Sequence, residues 1–271
     1  MKKLASLGAA ALLGVGLVVT GAPSAFASTV VHCPSDDLQA AMNNAPAGSQ
    51  VIIYGTCTGN FTIPKNLTLV GENAVLDGGN SGTVLTVPPR VAAVVDYLTI
   101  QNGNATFGGG IHNQGALTLN DVTASNSTAV NGGGIYSRLG TLTLRSSTIS
   151  GNTASFGGGI YNDRSTTNVT SSIVSSNSAI VGGGVYNDGG TANVTSSTVS
   201  NNSAGTEGGG IQNTGVGTTN VTSSAISNNS AGTDGGGIYN FTGTVTLRGT
   251  ALSGNSPNNC APPGSVPGCT G

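Results

Sequence analysis

The chain has 271 residues, of which 45 are glycine and none is tryptophan; only 7% are charged, and the formal net charge is −2. A chain this short of basic residues has no basic face, which argues against a nucleic-acid partner. Two histidines, and four cysteines at spacings that fit no zinc pattern, argue against a zinc centre.

Met1-Lys2-Lys3 is a short basic start, Leu4 to Val19 is apolar, and Ala25-Phe26-Ala27 carries small residues at both positions of a cleavage site. This order reads as a secretory signal peptide over 1–27, so the mature chain 28–271 is expected to be secreted, without a membrane span. It holds 6 basic and 10 acidic residues, a net charge of −4. In an exported chain the four cysteines read as two disulfides. Three pairings exist; Cys33 with Cys57 and Cys260 with Cys269 are favoured, because each pair then staples one end of the chain.

Ser35-Asp36-Asp37-Leu38 through Met42 reads as a short helix capped by Ser35, with the two aspartates in its first turn and Pro46 beyond its end. Leu38, Ala41, Met42 and Ala45 form its apolar face, suited to covering the end of a stacked structure. Short apolar segments follow at Val51–Tyr54, Phe61–Ile63, Leu67–Val70, Val75–Leu76 and Val84–Val87.

From Phe107 to Ser256 the chain repeats itself. Glycine triplets open at 108, 132, 157, 182, 208 and 235, in steps of 24 to 27 residues. Aliphatic-Ser-x-Asn follows in each of the last five copies and ends at Asn152, Asn177, Asn202, Asn229 and Asn255. A fixed period of this size means a solenoid. Three apolar columns recur: Ile111 to Ile238, Leu119 to Leu247, and Ala124 to Leu252. The second and third are always five residues apart. Side chains alternate along a strand, so an odd step between inward residues requires a corner. Each copy is therefore expected to hold three short strands, stacked roughly 4.8 Å from the next copy. The glycine triplets are expected to supply positive φ and a tight turn. The repeated asparagines are expected in turns with left-handed backbone angles, where they can also stack as an amide ladder. The proline-rich segment 257–271 is expected to leave the coils and close over the last one.

Gly-Gly-Gly-aliphatic together with aliphatic-x-x-Asn in one short repeat resembles the polymorphic outer membrane protein repeat, over about 107–256. Leu67 to Gly79 resembles the opening of pectin-lyase-like chains. The resemblance implies an all-β, single-stranded, right-handed parallel β-helix of roughly eight to nine coils, about 40 Å long. We expect one domain, with an N-terminal cap at 28–57, irregular coils at 58–106, repeats at 107–256 and a disulfide-closed cap at 257–271. No β-barrel translocator follows the repeats, so the chain looks like the small secreted bacterial members, and it is read as a monomer.

Tyr136, Tyr161, Tyr186 and Tyr239 share one column with His112 and Gln212. They are candidates for stacking on sugar rings, although tyrosines in a column also stack on one another. Asp163 and Asp188 lie one coil apart, either solvated, paired with Arg164, or sharing a Ca²⁺ ion; no cofactor is otherwise expected. The resemblance to pectin-lyase-like enzymes implies a second possibility, a polysaccharide lyase or glycoside hydrolase, with Asp163, Asp188 and Arg164 as catalytic candidates. The arginines Arg138, Arg145, Arg164 and Arg248 show no grouping with an acidic cluster in the sequence. Ice binding is disfavoured because the column Thr118, Thr143, Asn168, Asn193, Asn220, Thr246 is broken and Arg145 and Arg248 stand beside it. The reading preferred on sequence is a non-catalytic, adhesin-like protein that binds a glycan or a cell surface.

Overall fold

The structure is a computed structural model and describes residues 28–269; the expected signal peptide lies outside them. The chain winds into a right-handed parallel β-helix whose strands form three sheets. One sheet stacks nine strands, from Phe61–Thr62 through Ile111–Asn113 and Ile160–Asp163 to Cys260–Ala261. It carries the Ile111-type column. A larger sheet carries the other two columns. Early in the chain its strands run unbroken, as in Leu67–Asp77 and Ala92–Gln101, and in later coils they divide in two, as in Ala116–Asn120 and Thr123–Ser125. The third sheet, Asn104–Phe107 to Ser230–Ala231, buries an alanine column at Ala129, Ala154, Ala179, Ala204 and Ala231. It was not among the expected columns, because alanine is too small to mark a core position in the sequence.

The five-residue step has a local cause. Between the second and third columns each coil places one residue in the left-handed region: Asp121, Ser146, Ser171, Ser196 and Ser223, with φ of 49 to 53°. These are small polar residues that tolerate such angles. The bend turns the chain so that Leu119 and Ala124, an odd number apart, both face inward. Register then holds from coil to coil, as Val95, Leu119, Leu144, Val169, Val194, Val221 and Leu247 pair in sequence.

The asparagines of the second signature do not occupy the left-handed position themselves. The residue before each does: Gly151, Ser176, Asn201, Asn228 and Gly254. That turn points the asparagine side chain inward. Asn152, Asn177, Asn202 and Asn229 are 1% exposed, so they lie inside the solenoid. Their amides form the ladder: Asn152 donates to Asn177 at 3.0 Å, Asn177 to Asn202 at 3.0 Å, Asn202 to Asn229 at 2.9 Å and Asn229 to Asn255 at 3.0 Å. A second buried ladder, Asn162 to Asn187 to Asn213 to Asn240, follows the tyrosine column at 2.7 to 2.8 Å. Buried polar groups need such partners.

Only the first glycine of each triplet has positive φ, between 61 and 70°. The middle one serves close approach. A Cβ on Gly183 would lie 2.5 Å from the Ser203 carbonyl oxygen and 2.6 Å from that of Gly209.

The short helix is Leu38–Asn44, and its cap is Asp37, which accepts from the Ala40 N–H at 2.9 Å. Ser35, expected as the cap, instead donates to the His32 carbonyl at 2.7 Å. Asp37 wins because it sits immediately before the first helical residue, where its carboxylate reaches the free N–H groups. Leu38 and Met42 are buried. At the other end Cys260–Ala261 pairs with Ile238 and Tyr239, so the tail adds one short rung before leaving the coils. Both residues keep the N–H that the prolines after them lack. Disulfides join Cys33 to Cys57 and Cys260 to Cys269.

Candidate functional site

The strand after each glycine triplet sends its first residue into the core and its second to the outer side. Register aligns His112, Tyr136, Tyr161, Tyr186, Gln212 and Tyr239 in that second position. The rings do not form an open platform along their whole length. Tyr136 is only 3% exposed, and Tyr161, Tyr186 and Tyr239 are half-buried. Tyr161 meets Tyr136 at 5.3 Å and Tyr186 at 4.8 Å between centroids, the latter edge to face. Phe107 packs on Tyr136 at 5.0 Å and Phe156 on Tyr186 at 5.8 Å. Such tilted pairs are favourable ring geometry. Gln212 separates Tyr239 from the other three.

Two carboxylates hold the upper tyrosines. The Tyr136 hydroxyl donates to Asp163 Oδ2 at 2.7 Å, and the Tyr161 hydroxyl donates to Asp188 Oδ2 at 3.0 Å. Asp163 also accepts from Arg164 Nε at 2.9 Å and faces Arg138 Nε at 3.4 Å. Arg138 and Arg164 thus converge on one buried carboxylate, a grouping the linear sequence does not display. Its signal was register: Arg138, Asp163 and Asp188 occupy equivalent positions in consecutive coils. The like-charge contact expected between Asp163 and Asp188 is offset by the two guanidinium groups and the two phenols. Among the described residues no group of three or more His, Cys, Asp or Glu side chains is placed to hold a metal ion.

Burial pushes all four phenols up. The neighbouring carboxylate adds to this, Asp163 at Tyr136 and Asp188 at Tyr161. Tyr186 is pushed up to about 12 by burial and then by the charges of Asp188 and Glu207. Tyr239 is raised by burial, then by Glu207 and Asp234. His112 is held low by burial and by the Arg138 charge.

These shifts predict an alkaline instability. Above the ordinary phenol value of about 10 the unfolded chain releases protons that the folded chain retains, so stability falls as pH rises. In a spectrophotometric titration, Tyr136, Tyr161 and Tyr186 should stay protonated at pH 10 to 11 in the native protein. In guanidinium the same phenols should ionise there. Identical titration curves in the two states would contradict the assigned burial.

Residues 146–163 and 223–240 match the Chlamydia polymorphic membrane protein (Chlamydia_PMP) repeat. Each match runs from the corner serine, through the aliphatic-Ser-x-Asn signature, to the tyrosine strand of the next coil. Among solved structures the chain is similar to the pectin methylesterase from Aspergillus niger in deglycosylated form, with 14% identity, a TM-score of 0.52, and 89% of each chain covered. No curated protein matches the chain significantly. At that identity the likeness concerns the fold. The chain therefore has a parallel β-helix fold like that of this pectin methylesterase, and two of its segments match the Chlamydia polymorphic membrane protein repeat.

Proposed function

We propose that this is an extracellular glycan- or surface-binding protein that acts without catalysis. The observation that carries the reading is the run of half-buried tyrosines Tyr161, Tyr186 and Tyr239 beside carboxylates on one long edge of the rod, Tyr136 being closed off at its upper end. Half-buried rings next to acceptors suit sugar rings, which offer apolar faces and hydroxyl donors. The repeat named for a Chlamydia membrane protein supports a surface role, and two disulfides suit an oxidising compartment. No described helix is long and apolar enough to cross a membrane.

The catalytic alternative has less support. Both oxygens of Asp163 are engaged, one by Arg164 and the other by Tyr136 and Arg138. A carboxylate so committed is poorly placed to take or give a proton at a glycosidic bond. The test is retention of the mature protein on a panel of plant, fungal and bacterial polysaccharides and on intact cells, with product analysis by mass spectrometry. Retention without new fragments is expected. Released oligosaccharides would shift the reading to an enzyme, and retention by no surface would end it.

A further inference from the structure

The tyrosine column changes character at Gln212. Above it, the column preceding the glycine triplets is Phe107, Asn131, Phe156 and Val181 in register, and its two phenylalanines pack on Tyr136 and Tyr186. Below it, the same position holds Glu207 and Asp234, bridged to each other by their backbones. The upper hydroxyls of Tyr136 and Tyr161 are taken by Asp163 and Asp188, whereas no described side chain takes those of Tyr186 and Tyr239. No ring packs on Tyr239 among the described residues.

Gln212 itself is 5% exposed, and its Oε1 has no hydrogen-bond partner among the described residues. That oxygen lies beneath the Glu207–Gly208 turn, 2.6 Å from where a Gly208 Cβ would sit. A buried acceptor without a donor is unfavourable. A donor supplied by a ligand would satisfy it, and none of the described residues does. From 205 to 247 the chain contains no Arg, Lys or His. The lower half therefore carries the Tyr239 ring and the carboxylates of Glu207 and Asp234, the latter accepting from Asn258 Nδ2 at 3.1 Å, and no cation.

We infer that the break at Gln212 is a subsite for a sugar ring that donates hydrogen bonds, an amine-bearing or neutral sugar and not a uronate; this rests on the glycan-binding reading above. The ring packs over Gln212, between Tyr186 and Tyr239. Its hydroxyl or ammonium donors meet Gln212 Oε1 and the carboxylates of Glu207 and Asp234. A uronate carboxylate is repelled by the same pair.

The test is calorimetric titration of the mature protein with three probes: chito-oligosaccharide with free amines, cello-oligosaccharide and oligogalacturonate. Binding of the first or second, and at least tenfold weaker binding of the third, is expected. Gln212→Tyr and Tyr239→Ala should each weaken binding at least tenfold, whereas Tyr136→Phe, in the closed half, should not. Gln212→Tyr extends the tyrosine column, so its melting temperature should not fall, which separates loss of the subsite from loss of the fold. A preference for the amine that disappears in Glu207→Gln with Asp234→Asn assigns the carboxylates a charge role; equal binding of both sugars assigns them an acceptor role, and either supports the subsite. Oligogalacturonate binding as tightly, wild-type affinity in both Gln212→Tyr and Tyr239→Ala, or no binding of chito- and cello-oligosaccharide would each overturn it. If those variants still bind the wider polysaccharide panel, only the subsite falls. If the wild-type chain is retained by no glycan or cell surface, the functional reading falls with it.

Discussion

Asn202→Leu is expected to destabilise the protein by about 3–5 kcal/mol, because it strands several buried groups at about 1–3 kcal/mol each. Asn202 donates to the Val174 carbonyl at 3.0 Å and to Asn229 at 2.9 Å. Its Oδ1 accepts from both the backbone and the side chain of Asn177, each at 3.0 Å. Leucine fills the volume but answers none of these four bonds. The matched control is Asn193→Leu. Asn193 also belongs to an amide chain, donating to Asn168 at 2.9 Å and accepting from Asn220 at 2.9 Å, but it is half-exposed on the outer face. Water replaces its bonds, so its loss should cost less than about 1 kcal/mol, as for other surface changes. Guanidinium unfolding followed by circular dichroism decides between them. Equal midpoints for the two variants would mean that the inner ladder contributes no more than the outer one.

Gly183→Ala should be at least as damaging, about 4 kcal/mol or failure to fold, because overpacking against main chain has no rotamer escape. The added methyl would press on the carbonyls of Ser203 and Gly209, which belong to the next coil. The Gly209 carbonyl already serves the stack, accepting from the Gly184 N–H at 3.0 Å, beside the bond from the Gly183 N–H to Gly208 O, also at 3.0 Å. Relief requires the coils to part. Gly48→Ala is the comparison. Gly48 has φ of +80° but nothing within 4 Å of its would-be Cβ, so only the backbone penalty of roughly 1–2 kcal/mol applies. Soluble yield and thermal midpoint report the difference. An unaffected Gly183→Ala would show that adjacent coils are not in close contact at the triplets.

Both expectations concern residues whose presence the sequence advertised and whose roles it blurred. The asparagine at 202 could be read as a turn residue or as a ladder residue, since asparagine does both. Geometry assigned the turn to Asn201 and the ladder to Asn202, because the left-handed residue must come one position earlier for the next side chain to point inward. Glycine triplets likewise read as three flexible residues. Only stacking separates the first, which needs positive φ, from the second, which needs the absence of a side chain. The second asparagine ladder at 162, 187, 213 and 240 is not legible in the sequence, because an Asn after an outward Tyr or Gln looks like an ordinary strand end.

The sequence by itself determined the solenoid, its period, its aliphatic columns and the alignment of the tyrosines. Periodic patterning is a local property repeated, and a parallel stack turns equal spacing into adjacency. What only the tertiary structure decided is what each aligned side chain does. Arg138 and Arg164 meet on Asp163 because one is a coil above and the other a residue away, a junction that linear distance hides. The tyrosine column is covered where Phe107 and Phe156 pack on it, and Glu207 and Asp234 take their place in later coils. Those phenylalanines end strands of a different sheet, and the glycine turn between decides where their rings fall. Spacing does not encode that placement, so exposure, and with it the candidate site, emerges only in the folded rod.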